Sequence, residues 1–192
     1  VTNTFILIWF IPQLEKIVCL FIKNKNKKEE DDFRLRFIQV GIMKTPELSV
    51  LEASKEIQSF AERIHRMFTM VRELLNTNDE SKFDKLYKRI EKYERISDNM
   101  EVEIAKYLDH VSDAHLSDET KEKVRDMLRE ISEIESIGDS CYNLARTINR
   151  KRSYKNENFT DEQLSHIEQM FELTDSALSQ MDKLIIKRKD ND

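Results

Sequence analysis

Two short strings carry carboxylates at a spacing that could do chemistry. Residues 94–98 read Glu-Arg-Ile-Ser-Asp, and residues 135–139 read Glu-Ser-Ile-Gly-Asp. On a helix, positions four apart lie side by side, so Glu94 with Asp98 and Glu135 with Asp139 form two acid pairs. Carboxylates that share a partly buried site repel one another and lose hydration, so they take up protons or a cation. An all-oxygen set suits hard cations such as magnesium, manganese, calcium or iron. Such pairs also arise by chance in a chain with 37 acids among 192 residues, and a solvated face with Arg95, Arg125 and Arg129 as partners gives the same pattern. Gly138 adds to the signal. Glycine inside a helix costs about 1 kcal/mol against alanine, and this chain has only two. A missing side chain there lets a neighbouring helix, or a ligand with its waters, approach Asp139.

Other candidates are fewer. Glu62-Arg-Ile-His65 fits the Glu-x-x-His half-motif of di-iron bundles, which such enzymes need on two helices and which occurs here once. Glu172 and Asp175 join as further candidates by register, and Asn143 by its helical spacing from Asp139. His110, His115 and His166 fall at helix ends or on polar faces. The run NRKRSYK at 149–155 gives a helix C-terminus a favourable positive charge. Neither a Gly-rich phosphate loop, a nucleophile elbow nor a Cys/His zinc spacing occurs.

The elements that must position these residues are helices. Four Gly and Pro residues in 192 leave too few turn formers for a strand-rich fold, and 36% of the chain is charged. A net charge of −5 with both signs interspersed gives no basic footprint for nucleic acid. Cys19 and Cys141, far apart, suggest a reducing compartment and no disulfide framework. Thr45-Pro46-Glu47 starts a helix running to about Leu75. A second covers about 82–112. Ser117 caps a third, about 118–152, and Thr160 with Gln163 makes a capping box for a fourth, about 161–189. Short loops between helices of this length force antiparallel neighbours. The fold class is therefore all-α, an elongated antiparallel up-and-down bundle over 44–192. The apolar seam of the second helix passes through Glu94, Ser97/Asp98 and Glu101, and that of the third through Glu135, Gly138 and Asp139. Both acid pairs are therefore expected to interrupt their seams, facing inward or nearly so. Folding the chain back at each loop brings Glu62 and His65, Glu94, Glu135, and Glu172 with Asp175 to one height.

The first residues differ from the rest. The chain begins with Val and runs into FILIWFIPQLEKIVCLFI, followed by KNKNKK and EEDD. No basic residue precedes the apolar run, as a secretory leader would require. A basic block after an apolar stretch marks the cytoplasmic edge of a membrane. Pro12, Gln13, Glu15 and Lys16 interrupt the run, so residues 1–22 read as the end of a transmembrane segment or as a helix lying in the membrane interface, with an amphipathic helix packed on soluble protein as the plain alternative, and 23–43 as a charged, solvated linker.

Taken together, YERISDNMEVEI and EIESIGDSCYNLAR on two arms of a helical hairpin resemble the PhoU family, whose signature is an acid-x-x-x-Asp motif. The NTFILIWFIP stretch, the FRLRFI linker, TPELSVLEASKEI and AERIHRMF resemble the C-terminal portion of bacterial sodium/phosphate cotransporters that carry a PhoU-like domain. That resemblance implies a regulatory module rather than an enzyme, on the cytoplasmic side of the bacterial inner membrane. It implies two three-helix units able to hold iron or other metals through the acidic motifs. The chain would then hold one unit and the first helix of a second, and so be a fragment two helices short.

On this basis Glu94, Asp98, Glu135 and Asp139 are the expected ligands of a divalent or trivalent ion, with iron, manganese and magnesium the candidates. Glu62, His65, Asn143, Glu172 and Asp175 are second-rank candidates. The expected partners are the transporter's membrane domain, a second copy of the chain and inorganic phosphate. The alternative is a metal-free helical-bundle adaptor that docks a partner protein; a carboxylate-bridged metalloenzyme is disfavoured by the single Glu-x-x-His.

Overall fold

A computed structural model describes residues 35–38, 45–113, 115–153 and 159–190, with side chains to 187. Four helices account for nearly all of them: α1 (Pro46–Leu75), α2 (Glu80–Ser112), α3 (Asp118–Ser153) and α4 (Asp161–Asp190). The expected all-α bundle is what forms. No helix among the described residues is long and apolar enough to cross a membrane. Residues 1–22, expected to end a membrane span, lie outside the described residues.

Each start has a local cause. The Thr45 side chain accepts from the Leu48 amide ahead of Pro46. Asp79 Oδ1 accepts from the Lys82 amide at 2.6 Å. Ser117 Oγ accepts from the Thr120 amide at 3.2 Å. At α4, Thr160 Oγ1 accepts from the Gln163 amide while Gln163 Oε1 accepts from the Thr160 amide, a complete capping box. The α1–α2 turn is closed from across the bundle, where Arg152 donates to the Thr77 and Asn78 carbonyls and lies over the Phe83 ring. The basic end of α3 thus serves as a clamp on that turn.

The core is a three-helix seam among α1, α2 and α3, each of which packs on the other two. Ile57, Phe60, Ile64, Met67, Val71 and Leu74 of α1 are fully enclosed, facing Ile90, Ile104 and Leu108 of α2 and Ile131 and Ala145 of α3. The fourth helix departs from a symmetric bundle. Among the described residues it packs on α1 and on neither α2 nor α3. Phe171 and Leu178 supply its buried face, with the Phe171 ring 5.3 Å from that of Phe68. Cross-links from Phe68 to Phe171, from Arg72 to Glu168 and from His65 to Asp182 run in opposite directions along the two helices, so α4 is antiparallel to α1.

One part of the expected linker is not solvated. Ile38 is buried, and the amides of Arg36 and Phe37 each donate to Glu56 Oε2 at 2.8 Å. Glu56 is fully buried on α1. A buried carboxylate needs strong donors, and two backbone amides of the upstream segment supply them, which ties that segment to the bundle.

Candidate metal centre

Both acid pairs sit on the α2–α3 contact, beside the seam rather than in it. The buried residues in mid-α2 are Tyr93, Ile96, Ser97 and Met100, and in mid-α3 they are Ile134, Gly138 and Cys141. Glu94 and Glu135 are half-buried, while Asp98 and Asp139 are exposed. The expected interruption of the seam is thus a shift of about one position around the helix. Apolar side chains keep the axis, and the acids take its rim, where water still reaches them.

On that rim the two motifs meet. Glu94, Asp98 and Asp139 can each place a carboxylate oxygen within 4.8 Å of the other two. Oxygens bound to one hard cation at about 2.0–2.4 Å lie at most about 4–4.8 Å apart, so these three fit a single ion. Glu135 is not one of these three, but it is near enough to Asp139 and Asp98 for their charges to act on it. Among the described residues no Lys or Arg forms an ion pair with any of the four.

The electrostatics follow from that crowding. Burial, and then the charges of Asp98 and Asp139, hold the Glu94 carboxyl above its ordinary range, with Arg95 pulling the other way. Burial and Asp139 raise Asp98. Burial, Asp139, Glu101 and Asp98 raise Glu135. Three carboxyls that bind protons more readily than usual mark a place where negative charge lacks a counterion.

Gly138 now has a physical account. A Cβ there would sit 2.9 Å from Ile64 Cδ1 and 3.1 Å from Ser97 Oγ. The bare backbone lets α1 and α2 close against α3 at the level of the acid cluster. Of the two reasons expected for this glycine, the geometry shows the approach of neighbouring helices.

The second-rank residues divide. His65 sits at the expected height but turns away from the acid cluster, toward α4. Its Nδ1 lies 2.6 Å from Asp182 Oδ2 and its Nε2 3.1 Å from Asp175 Oδ1. Glu172 lies 3.7 Å from Arg72, whose main partner is Glu168. Because α4 packs on the far side of α1, Asp175 and Glu172 do not join Glu94 and Asp139. Glu62 is exposed and accepts from Gln58 at 3.0 Å, and Asn143 is exposed on α3. Sequence reasoning missed the tyrosines beside the site. Burial, followed by the nearby Tyr87, Glu91 and Glu94, raises the pKa of Tyr142. The signal was present in the spacing, since Tyr142 follows Asp139 by three positions and Tyr87, Glu91 and Glu94 recur at helical intervals.

In comparison with known families, residues 57–148 match the PhoU domain. The matched stretch contains both acidic motifs and ends before α4. No curated protein and no solved structure matches the chain.

Proposed function

We propose that residues 57–148 act as a PhoU-like regulatory module of phosphate homeostasis, and that its regulatory input is a metal ion held by Glu94, Asp98 and Asp139, with Glu135 completing the set. The observation that carries this reading is the meeting of the two motifs on the α2–α3 rim, three carboxylates within 4.8 Å of one another. The PhoU match supplies the regulatory context. The donor set is all oxygen and suits iron, manganese or magnesium. A bound ion neutralises the repulsion between α2 and α3 and stiffens their contact. A regulator needs no more than that, provided the ion prefers one arrangement of the bundle over another.

The wider setting belongs to the same proposal. The apolar run at 1–22, the basic block after it and the likeness to sodium/phosphate cotransporters support a module on the cytoplasmic side of a bacterial inner membrane, joined to a transporter's membrane domain. Residues 35–38, tied to Glu56 through the Arg36 and Phe37 amides, would pass the state of the bundle to that domain. Inorganic phosphate is the proposed co-ligand, reaching the metal from the open side of the rim. The module is regulatory, not catalytic. The second reading, a metal-free adaptor that docks a partner protein, is favoured by one observation, the exposed Met170, Leu173 and Leu184 on α4.

The test is elemental analysis of the dialysed protein beside a variant carrying Glu94→Gln, Asp98→Asn, Glu135→Gln and Asp139→Asn. The expected result is stoichiometric metal in the parent and none in the variant. Absence of metal from both, after iron, manganese and magnesium have each been offered, would leave the adaptor.

A further inference from the structure

Glu56 is a buried acid that the metal reading does not use. It is fully enclosed on α1. Among the described residues its hydrogen-bond donors both come from the upstream segment, the Arg36 and Phe37 amides at 2.8 Å, and both end on Oε2. Its other oxygen, Oε1, is buried with no hydrogen-bond partner. Around this anchor the segment also makes apolar contacts. Ile38 is buried and Leu35 is partly buried against the core, while Phe37 stays 40% exposed.

These contacts are balanced in a way that keeps the segment removable. Two amide bonds to a carboxylate are charge-assisted and strong, and enclosing Ile38 adds apolar burial. Against them stands the dehydration of a carboxylate, half of which finds no donor in the docked state. A residue that only had to fill this place would be apolar, because well-packed hydrophobic side chains stabilise a core as well as buried charges do or better. An acid is favoured here only while the two amides are present. It suits a contact that is made and broken.

The consequence is geometric. With the segment docked, the chain is held beside Glu56. With it undocked, the next hold along the described chain is the Thr45 cap, whose side chain accepts from the Leu48 amide. At 1.5 Å per residue, Glu56 lies about 15 Å along α1 from Pro46.

We propose that residues 35–38 are a releasable strap and that the Glu56 carboxylate is its latch, so that the point at which the upstream chain is held switches by about 15 Å between a site inside α1 and its start. The strap deepens the regulatory reading and rests on it for its use, since a two-state contact lets bundle and upstream segment bias each other. The latch itself needs no metal.

Hydrogen exchange of single amides tests it, in the full 192-residue chain in mild detergent with a chelator present. In the parent, the Arg36 and Phe37 amides should exchange together. They should be at least tenfold slower than in an unstructured chain and at least tenfold faster than the amide of fully enclosed Ile64, which marks opening of the strap without the bundle. Glu56→Gln leaves a neutral acceptor of the same size, and Phe37→Pro removes one donor without touching the bundle. Each should speed exchange at Arg36 at least tenfold, with helix content by circular dichroism and exchange at Ile64 unchanged. Strap amides as slow as Ile64 would make 35–38 a fixed part of the core and overturn the proposal, and so would amides as fast as an unstructured chain. Exchange at Arg36 indifferent to either substitution would mean that Leu35 and Ile38 hold the segment unaided. Loss of helix content in both variants also overturns it, because a latch opens without unfolding what it closes. With metal chelated throughout, an empty acid rim leaves the latch standing, and a failed latch leaves the rim untouched.

Discussion

Gly138 shows how much a single residue's setting can be argued from sequence and where that stops. Its cost inside a helix signalled a close approach, and the acids around it suggested where. Which atoms approach was not legible, because Ile64 and Ser97 arrive from two other helices. The geometry makes a specific prediction. Alanine at 138 gains about 1 kcal/mol of helix propensity, but its Cβ meets Ile64 Cδ1 at 2.9 Å and Ser97 Oγ at 3.1 Å. Ile64 is fully enclosed and has little room to give, and overpacking of this kind costs about 1–3 kcal/mol. Gly138→Ala should therefore lower stability by about 1 kcal/mol in urea unfolding. Ser97 Oγ is buried without a hydrogen-bond partner, so Ser97→Ala alone should be neutral or stabilising by up to about 1 kcal/mol. In the double variant it should recover part of the Gly138→Ala loss. A stabilising Gly138→Ala would show that the helices do not close here as described.

Elements were legible in their extent and height but not in their direction. Caps at Thr45, Ser117 and Thr160/Gln163 are local chemistry, so the helix starts could be read from the chain. Folding at each loop also put His65 and Asp175 at the right level. What loop-folding leaves open is the angle around the bundle axis, which is set by packing of residues distant in sequence. Phe171 and Leu178 bind α4 to the far side of α1, so His65 meets Asp175 and Asp182 instead of the acid rim. That clasp is pH-dependent. Burial lowers the affinity of His65 for its proton, but the hydrogen bonds and charges of Asp182 and Asp175 outweigh it, so its folded-state pKa lies above the ordinary 6.5. The doubly protonated ring can donate to both carboxylates at once. The resulting stabilisation is fully present below pH 6.5 and is lost as pH rises through the raised value. His65→Gln should loosen α4 by roughly 1–2 kcal/mol. Hydrogen-exchange protection across 161–187 should fall in that variant at pH 6, and in the parent it should fall as pH rises from about 6 to 9. Equal protection of α4 in parent and variant at pH 6 would mean that Phe171 and Leu178 hold it unaided.

For the whole molecule, the acid rim sets how stability should respond to pH and to metal together. Glu94, Asp98 and Glu135 have folded-state pKa values above the ordinary 4.5, 3.8 and 4.5. The folded chain therefore binds protons more tightly than the unfolded chain does. With a chelator present, this contribution to stability is intact below those values and is lost as pH rises through the raised ones. Metal reverses the sign, since ligands must be ionised to bind it and protons compete. The gap in melting temperature between metal-loaded and chelated protein should thus widen from about pH 5 to pH 7.5. At about a hundredfold excess over Kd the added stability is about 2.7 kcal/mol, or about 5–10 °C for a chain of this size. The raised titration of His65 is common to both samples, so its effect drops out of the difference. The variant with all four acids as amides should show no gap at any pH. A gap that persists in that variant would place the metal elsewhere. Curves that coincide in the parent would mean that the rim holds protons rather than an ion.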